Sequence, residues 1–205
     1  MKTDPARERL LLTAQELFTR HGYDSVSVRE LTTAAKANLG AVTYHFGSKE
    51  ALYHAAVERL MAPFADAIAS AAASPGNGLD RVEAVVRAAL THDGPRSAGP
   101  IPCILRALMS DGPLPPPIIK MMQRNVGTII GLINTGQQDG SIRAGDPTLL
   151  ALSVVSQPFY FKVAGRVIEQ ALGVKRSDAA AWTKVVDHVA ESVRRTIGTS
   201  RSISQ

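Results

Sequence analysis

Apolar residues recur at every third or fourth position along most of the chain, and no stretch alternates long enough to mark a strand. This period predicts an all-α protein of about nine helices. The first is expected from about Ala6 to His21, where Leu10, Leu11, Ala14, Leu17 and Phe18 share one wide face and Gly22 follows. Ser27 and Glu30 have the S-x-x-E spacing of a capping box. They open a short helix that puts Val28, Leu31 and Ala35 on one side. Lys36-Ala37 forms the turn after it. Asn38 is placed to cap a second short helix, Leu39 to His45, which Gly47 closes. Ser48 caps a long helix reaching about Ala72, with Pro63 expected to kink it.

The same period predicts helices over 79–91, 101–110, 118–138, 148–172 and 178–197. Breaks fall at SPGNG (74–78), at the Gly/Pro/Ser stretch 92–100 and at the prolines 115–117. Asp146-Pro147 is a cap followed by proline at the first helical position. Pro158 should interrupt 148–172. Residues 1–6 are expected to fray, and the Ser/Thr-rich tail from Gly198 to be disordered.

The two short helices raise a physical question. A helix of about seven residues is not stable alone, so it must be held by neighbours. The outward side of Leu39 to His45 is small or hydroxyl-bearing (Gly40, Ala41, Thr43), which suits entry into a DNA major groove about 12 Å wide. That is the logic of a helix-turn-helix, whose second helix reads bases while the first crosses the backbone.

Residues 10 to 54 resemble the N-terminal DNA-binding domain of the TetR family of bacterial transcriptional regulators. The resemblance is carried by Leu10-Leu11, Ala14, Leu17-Phe18, Gly22-Tyr23, Ser27-Val28, Leu31, Ala34-Ala35, Gly40 and the run Tyr44 to Leu52. The form NLGAVTYHFGSKEALY is similar to the CecR-like branch, which implies a hydrophobic, drug-like effector. The family resemblance implies a reading domain at 1–50, with its motif at about 27–46, and a helical effector-binding and dimerisation domain at 51–205. It implies that Thr43, Tyr44 and Lys49 hold phosphates, while Arg29, Leu39, Gly40 and Ala41 face base edges beside the cap residue Asn38. Arg29 is the side chain able to take guanine bidentately. His45 stays open between a phosphate contact and packing under Phe46. Lys49, without the motif, would read as a solvated surface lysine. Three positions depart from the family's pattern. Lys36 stands where the turn usually has glycine, Thr32 where an alanine lets two helices approach, and Thr43 where a phosphate-binding tyrosine is frequent.

Composition adjusts this picture in two places. The net charge of the 205-residue chain is +5, yet residues 1–60 hold eight lysines and arginines against seven carboxylates. Charge therefore adds little to the DNA-binding reading, and the motif carries it. No apolar run is long enough to span a bilayer, the N-terminus is too charged for a signal peptide, and one cysteine allows no internal disulfide. A cytoplasmic protein with no membrane partner is expected.

The partners expected are double-stranded operator DNA, a second copy and a small-molecule effector of unknown identity. The helices over 148–172 and 178–197 are apolar on more than one face, as a homodimer interface through the last two long helices requires. Cys103, Met109, Met122 and Phe161, with Arg106, Asn125 and Gln157 as polar anchors, are the candidate effector-binding residues. Each alone reads equally as ordinary core or surface. Catalysis is not expected. The five histidines fall in no H-E-x-x-H, no cysteine cluster offers a metal site, and neither G-x-S-x-G nor a phosphate-binding glycine loop is present. No cofactor is expected. The rival to a regulator is a helical protein–protein adaptor that keeps this fold without specific operator binding.

Overall fold

The computed structural model describes residues 4–92, 100–110, 112–175 and 177–199. The described residues form ten helices and no strand. In chain order they are α1 (Pro5–His21), α2 (Val28–Ala34), α3 (Ala41–Phe46), α4 (Lys49–Ala72), α5 (Gly78–Thr91), α6 (Ile101–Leu108), α7 (Pro116–Asp139), α8 (Pro147–Val163), α9 (Gly165–Leu172) and α10 (Ala179–Ile197). The Gly/Pro/Ser stretch over 93–99 and the tail from residue 200 lie outside the described residues, as do residues 1–3.

The chain divides into two compact units. The first joins Met1–Pro63 with Pro100–Lys120, and the second joins Phe64–Gly99 with Met121–Gln205. Thus α4 and α7 each contribute to both. The α4 helix runs through Pro63 without ending, and the division falls at that proline.

In the first unit, α1 begins at Pro5 because Asp4 caps it, accepting from the Ala6 amide at 2.9 Å. The expected fraying therefore does not extend to residues 4–6. Leu10, Leu11, Ala14 and Phe18 of α1 pack with Leu31, Val42, Leu52 and Ala56 into one core. That core supports the two short helices, which have too few residues to hold themselves.

In the second unit, α5 packs against α8 and α10, and Leu79, Val82, Val86, Ile133, Val189 and Ile197 lie fully inside. The entry to α5 is unusually close to α7. The Gly78 amide donates to Asp139 at 2.8 Å and the Leu79 amide to Ser141 Oγ at 3.2 Å, so the end of α7 satisfies the first turn of α5. A Cβ on Gly78 would lie 2.3 Å from the Gly136 backbone.

Two expectations about the later helices are corrected. The 148–172 segment is two helices, which raises the total above nine, and Pro158 is not where it breaks. Pro158 is buried inside α8, and the chain turns at Ala164 (ψ 3°), just before Gly165 opens α9. The prolines at 116 and 117 are not a separate stiff connector but the first turn of α7, where a missing N–H costs nothing.

A chain of ion pairs ties α10 to α5. Arg194 meets Asp80 at 2.5 Å and Glu83 at 2.7 Å, and Arg87 meets Glu83 at 3.0 Å and Asp187 at 2.6 Å. Burial pushes the Glu83 carboxyl up, but hydrogen bonds from Arg194 and Arg87 outweigh it and hold the group below its ordinary 4.5. A carboxyl depressed in the folded state stabilises fully above its unfolded value and loses that contribution as pH falls through the native one. Urea midpoints are therefore expected to be flat above about pH 5 and to fall toward about pH 3, with a shallower fall in Glu83→Gln. A fall of the same steepness in that variant would remove Glu83 as a source of the acid sensitivity.

Candidate nucleic-acid interface

The helix-turn-helix expected over about 27–46 is set by local chemistry at α2. Ser27 Oγ accepts from the Glu30 amide at 3.1 Å, and the Glu30 carboxylate accepts from the Ser27 amide at 2.7 Å, completing the expected capping box. The backbone hydrogen bond from Ser27, then its hydroxyl, holds the Glu30 carboxyl below the usual range. Thr32 is buried where the family usually has alanine. It is accommodated because its hydroxyl donates to the carbonyls of Val28 (3.0 Å) and Arg29 (3.2 Å). The turn is closed by Lys36 N to Thr33 O at 3.1 Å and Ala37 N to Thr32 O at 2.8 Å, and Lys36 takes φ 50°. Lys36 thus takes the left-handed conformation that glycine enters more readily.

The second short helix starts later than expected. Gly40, not Asn38, is its cap, and no side chain bonds there. Asn38 contributes its backbone carbonyl, which accepts from the Ala41 amide at 2.9 Å. Within α3 only Val42 is buried. Leu39 is 64% exposed and Tyr44 84%, and Gly40 and Thr43 are exposed with them, so this face meets solvent while Val42 anchors the helix. Arg29 is exposed on α2. Lys49 opens α4 with its ammonium 4.2 Å from the Tyr23 ring centre, a cation–π contact that directs its stem along the head. The side chain of His45 is only 10% exposed, with Nδ1 3.6 Å from the Asp4 carboxylate.

The candidate effector residues fall in both units. Cys103, Arg106 and Met109 belong to the first, and Met122, Asn125, Gln157 and Phe161 to the second. Cys103 is buried beside Tyr53. Burial pushes the Cys103 thiol up, and burial with the adjacent Cys103 pushes the Tyr53 hydroxyl up to about 12, so neither ionises readily. Arg106 is spoken for by backbone. Its guanidinium donates to the carbonyls of Phe18 (3.0 Å), Thr19 (3.1 Å) and Arg20 (3.4 Å), closing the C-terminus of α1. Met109 is 86% exposed, and Met122 is also exposed. Asn125 buries its side-chain oxygen without a hydrogen-bond partner, and Gln157 and Phe161 are half-buried. A cleft of about 680 Å³ in the first unit is lined by His21, Tyr23, Glu50, Tyr53, His54 and Arg106, of which only Arg106 was among the candidates. Among the described residues no three His, Cys, Asp or Glu side chains are grouped to hold a metal, and no helix is long and apolar enough to cross a membrane.

Sequence reasoning missed Arg7 and Arg9. Arg7 stacks over the Phe46 ring at 4.8 Å, and Arg9 Nε donates to the Ala35 carbonyl at 3.5 Å. Both lie on α1, and no motif marks them. Only their spacing to the turn in three dimensions brings them to the head.

Comparison with known proteins places this geometry. Residues 10–56 match the family described as bacterial regulatory proteins, tetR family. Over 153 residues the chain is 28% identical to the HTH-type transcriptional regulator UidR of Escherichia coli K12, covering 69% of this chain and 71% of that one. The HTH-type transcriptional repressor AcnR of Corynebacterium efficiens is 35% identical over 63 residues, 31% of this chain and 34% of that one. Among solved structures, AibR in complex with isovaleryl coenzyme A and operator DNA superposes with a TM-score of 0.69 at 20% identity, covering 91% of this chain and 97% of that one. A TetR-family protein from Rhodococcus RHA1 superposes with a TM-score of 0.72 at 19% identity, covering 97% and 100%.

Proposed function

From a chain that belongs to the tetR family of bacterial regulatory proteins and is a DNA-binding transcriptional regulator, we propose a more specific device: a homodimeric repressor that leaves its operator when a small hydrophobic effector binds. The observation that carries this reading is the exposed face at α3, with Leu39, Gly40, Thr43 and Tyr44, together with Arg29 exposed on α2 and Lys49 at the start of α4. Gly40 and Ala41 let the backbone come close to base edges, Arg29 takes a guanine, and Thr43, Tyr44 and Lys49 hold phosphates. The reading head occupies residues 1–50, and residues 51–205 dimerise and receive the effector.

A second copy is supported by α8 and α9. Leu149, Leu152, Tyr160 and Val163 are exposed on α8 at spacings of three or eight residues and form one stripe, Val167 is exposed on α9, and Leu150, Ala151, Val154 and Pro158 face the core. Two heads on a palindromic site double the few contacts one short helix can make. The effector acts by preferring a conformation whose heads do not match the site, and it weakens operator binding by that difference in affinity.

The test is a gel shift of purified protein on the DNA upstream of its own gene, across a salt series. Specific binding of a dimer, reversed by an effector found by screening, is expected. Binding to no promoter DNA, before and after refolding to strip a bound ligand, would leave the adaptor reading instead. With the operator in hand, Arg29→Ala is expected to cost about 1–3 kcal/mol and to relax preference at one base pair. An equal loss on random DNA would reassign Arg29 to a phosphate.

A further inference from the structure

The left-handed Lys36 is a residue the fold does not ask for. A conformation at φ 50° is disfavoured for any side chain with a Cβ, and glycine or asparagine enters it more readily. The turn's hydrogen bonds are made by backbone alone, so lysine adds nothing to them. Its side chain is exposed, and no hydrogen bond or ion pair joins its ammonium to a described residue. Non-glycine residues held in such conformations collect at functional sites, which makes the outlier a reason to look at what surrounds it.

Lys36 lines a cleft of about 480 Å³ with Arg9, Asn38, Gly40, Tyr44 and His45. One wall is the flank of α3, continuous with the face that carries Leu39 and Tyr44. The other is α1, from which Arg9 reaches across. Its Nε is held by the carbonyl of Ala35, the residue before Lys36, and this uses one of the guanidinium's five donors. Arg9 is therefore held at the turn that carries Lys36, and both cations line one cleft. Among the described residues no carboxylate lines the cleft. Asp4 approaches His45 at 3.6 Å, but its carboxylate is engaged there and at the α1 cap.

We propose that this cleft is a phosphodiester site. It holds a phosphate of the DNA backbone at the edge of the groove that α3 enters, with Lys36 and Arg9 supplying charge and Asn38 and Tyr44 supplying hydrogen bonds. The site rests on the DNA-reading role of the head, and it adds two contacts, one from the turn of the helix-turn-helix and one from α1.

Phosphate contacts are sequence-independent, so the probe is a random-sequence duplex of about 30 base pairs, titrated from about 50 to 300 mM salt. Each phosphate neutralised contributes about 0.9 to the slope of log affinity against log salt. Lys36→Asn keeps a residue that tolerates the turn and removes the charge. It is expected to lower the slope by about one, without lowering the melting temperature, and Arg9→Gln to lower it by a similar amount. Lys36→Arg is expected to keep the wild-type slope. A wild-type slope in Lys36→Asn overturns the site and leaves the regulator reading standing. A wild-type protein that binds neither random nor promoter duplex at low salt overturns both.

Discussion

Gly78→Ala is expected to destabilise the second unit by about 3 kcal/mol, the upper part of the usual range for overpacking. The new Cβ would stand 2.3 Å from both the Cα and the amide nitrogen of Gly136 and 2.8 Å from the Leu132 carbonyl oxygen. All three are helix backbone, which cannot rotate aside as a side-chain tip can. Relief requires α5 to move off α7, and that movement breaks the bonds from Gly78 to Asp139 and from Leu79 to Ser141. A chain of this size should lose about 6–12 °C in melting temperature. Gly131→Ala, on the facing helix α7, is the control. A Cβ there meets nothing within 4 Å, so the variant should be neutral or gain up to about 1 kcal/mol from helix propensity. Equal melting temperatures for the two variants would mean that α5 and α7 are not in backbone contact.

Leu152→Glu is expected to separate the proposed dimer and to lower operator affinity by about 100-fold or more, because one head then binds without the second. The residue is 53% exposed and lies in the middle of the apolar stripe on α8. A carboxylate there meets water in the monomer and would be buried without a partner between two copies. Helix content and melting of the isolated chain should change little, since the side chain is outside the core. Sedimentation, read with operator titration, distinguishes the outcomes. A variant that still sediments as a dimer places the interface elsewhere.

What could be read in advance was local. The Ser27–Glu30 box, the Asp146-Pro147 start of α8 and the span of α4 from Ser48 to Ala72 depend on residues within one turn of each other, and all three are as the spacing implies. The misread positions are those where distant parts of the chain decide. Asn38 lost its capping role because α3 starts at Ala41, where Val42 can reach the core made by α1. Pro158 does not end its helix because α8 is gripped along one whole face by α5 and α10. The α1-terminal role of Arg106 spans more than eighty positions of sequence, and no spacing rule reports it. The same holds for the pairing of Arg9 with the turn.

That Arg106 contact has a consequence for anyone hoping to transplant the reading head. The chain leaves the first unit at Pro63 and returns to it at Pro100, and the returning α6 closes the last carbonyls of α1 and seats Cys103 against Tyr53. A fragment cut after α3 or at Pro63 would keep every motif of the helix-turn-helix and still lack part of its own floor. The compact unit that carries the helix-turn-helix is discontinuous in sequence, so a chimera that exchanges operators must carry α6 with it or rebuild the end of α1.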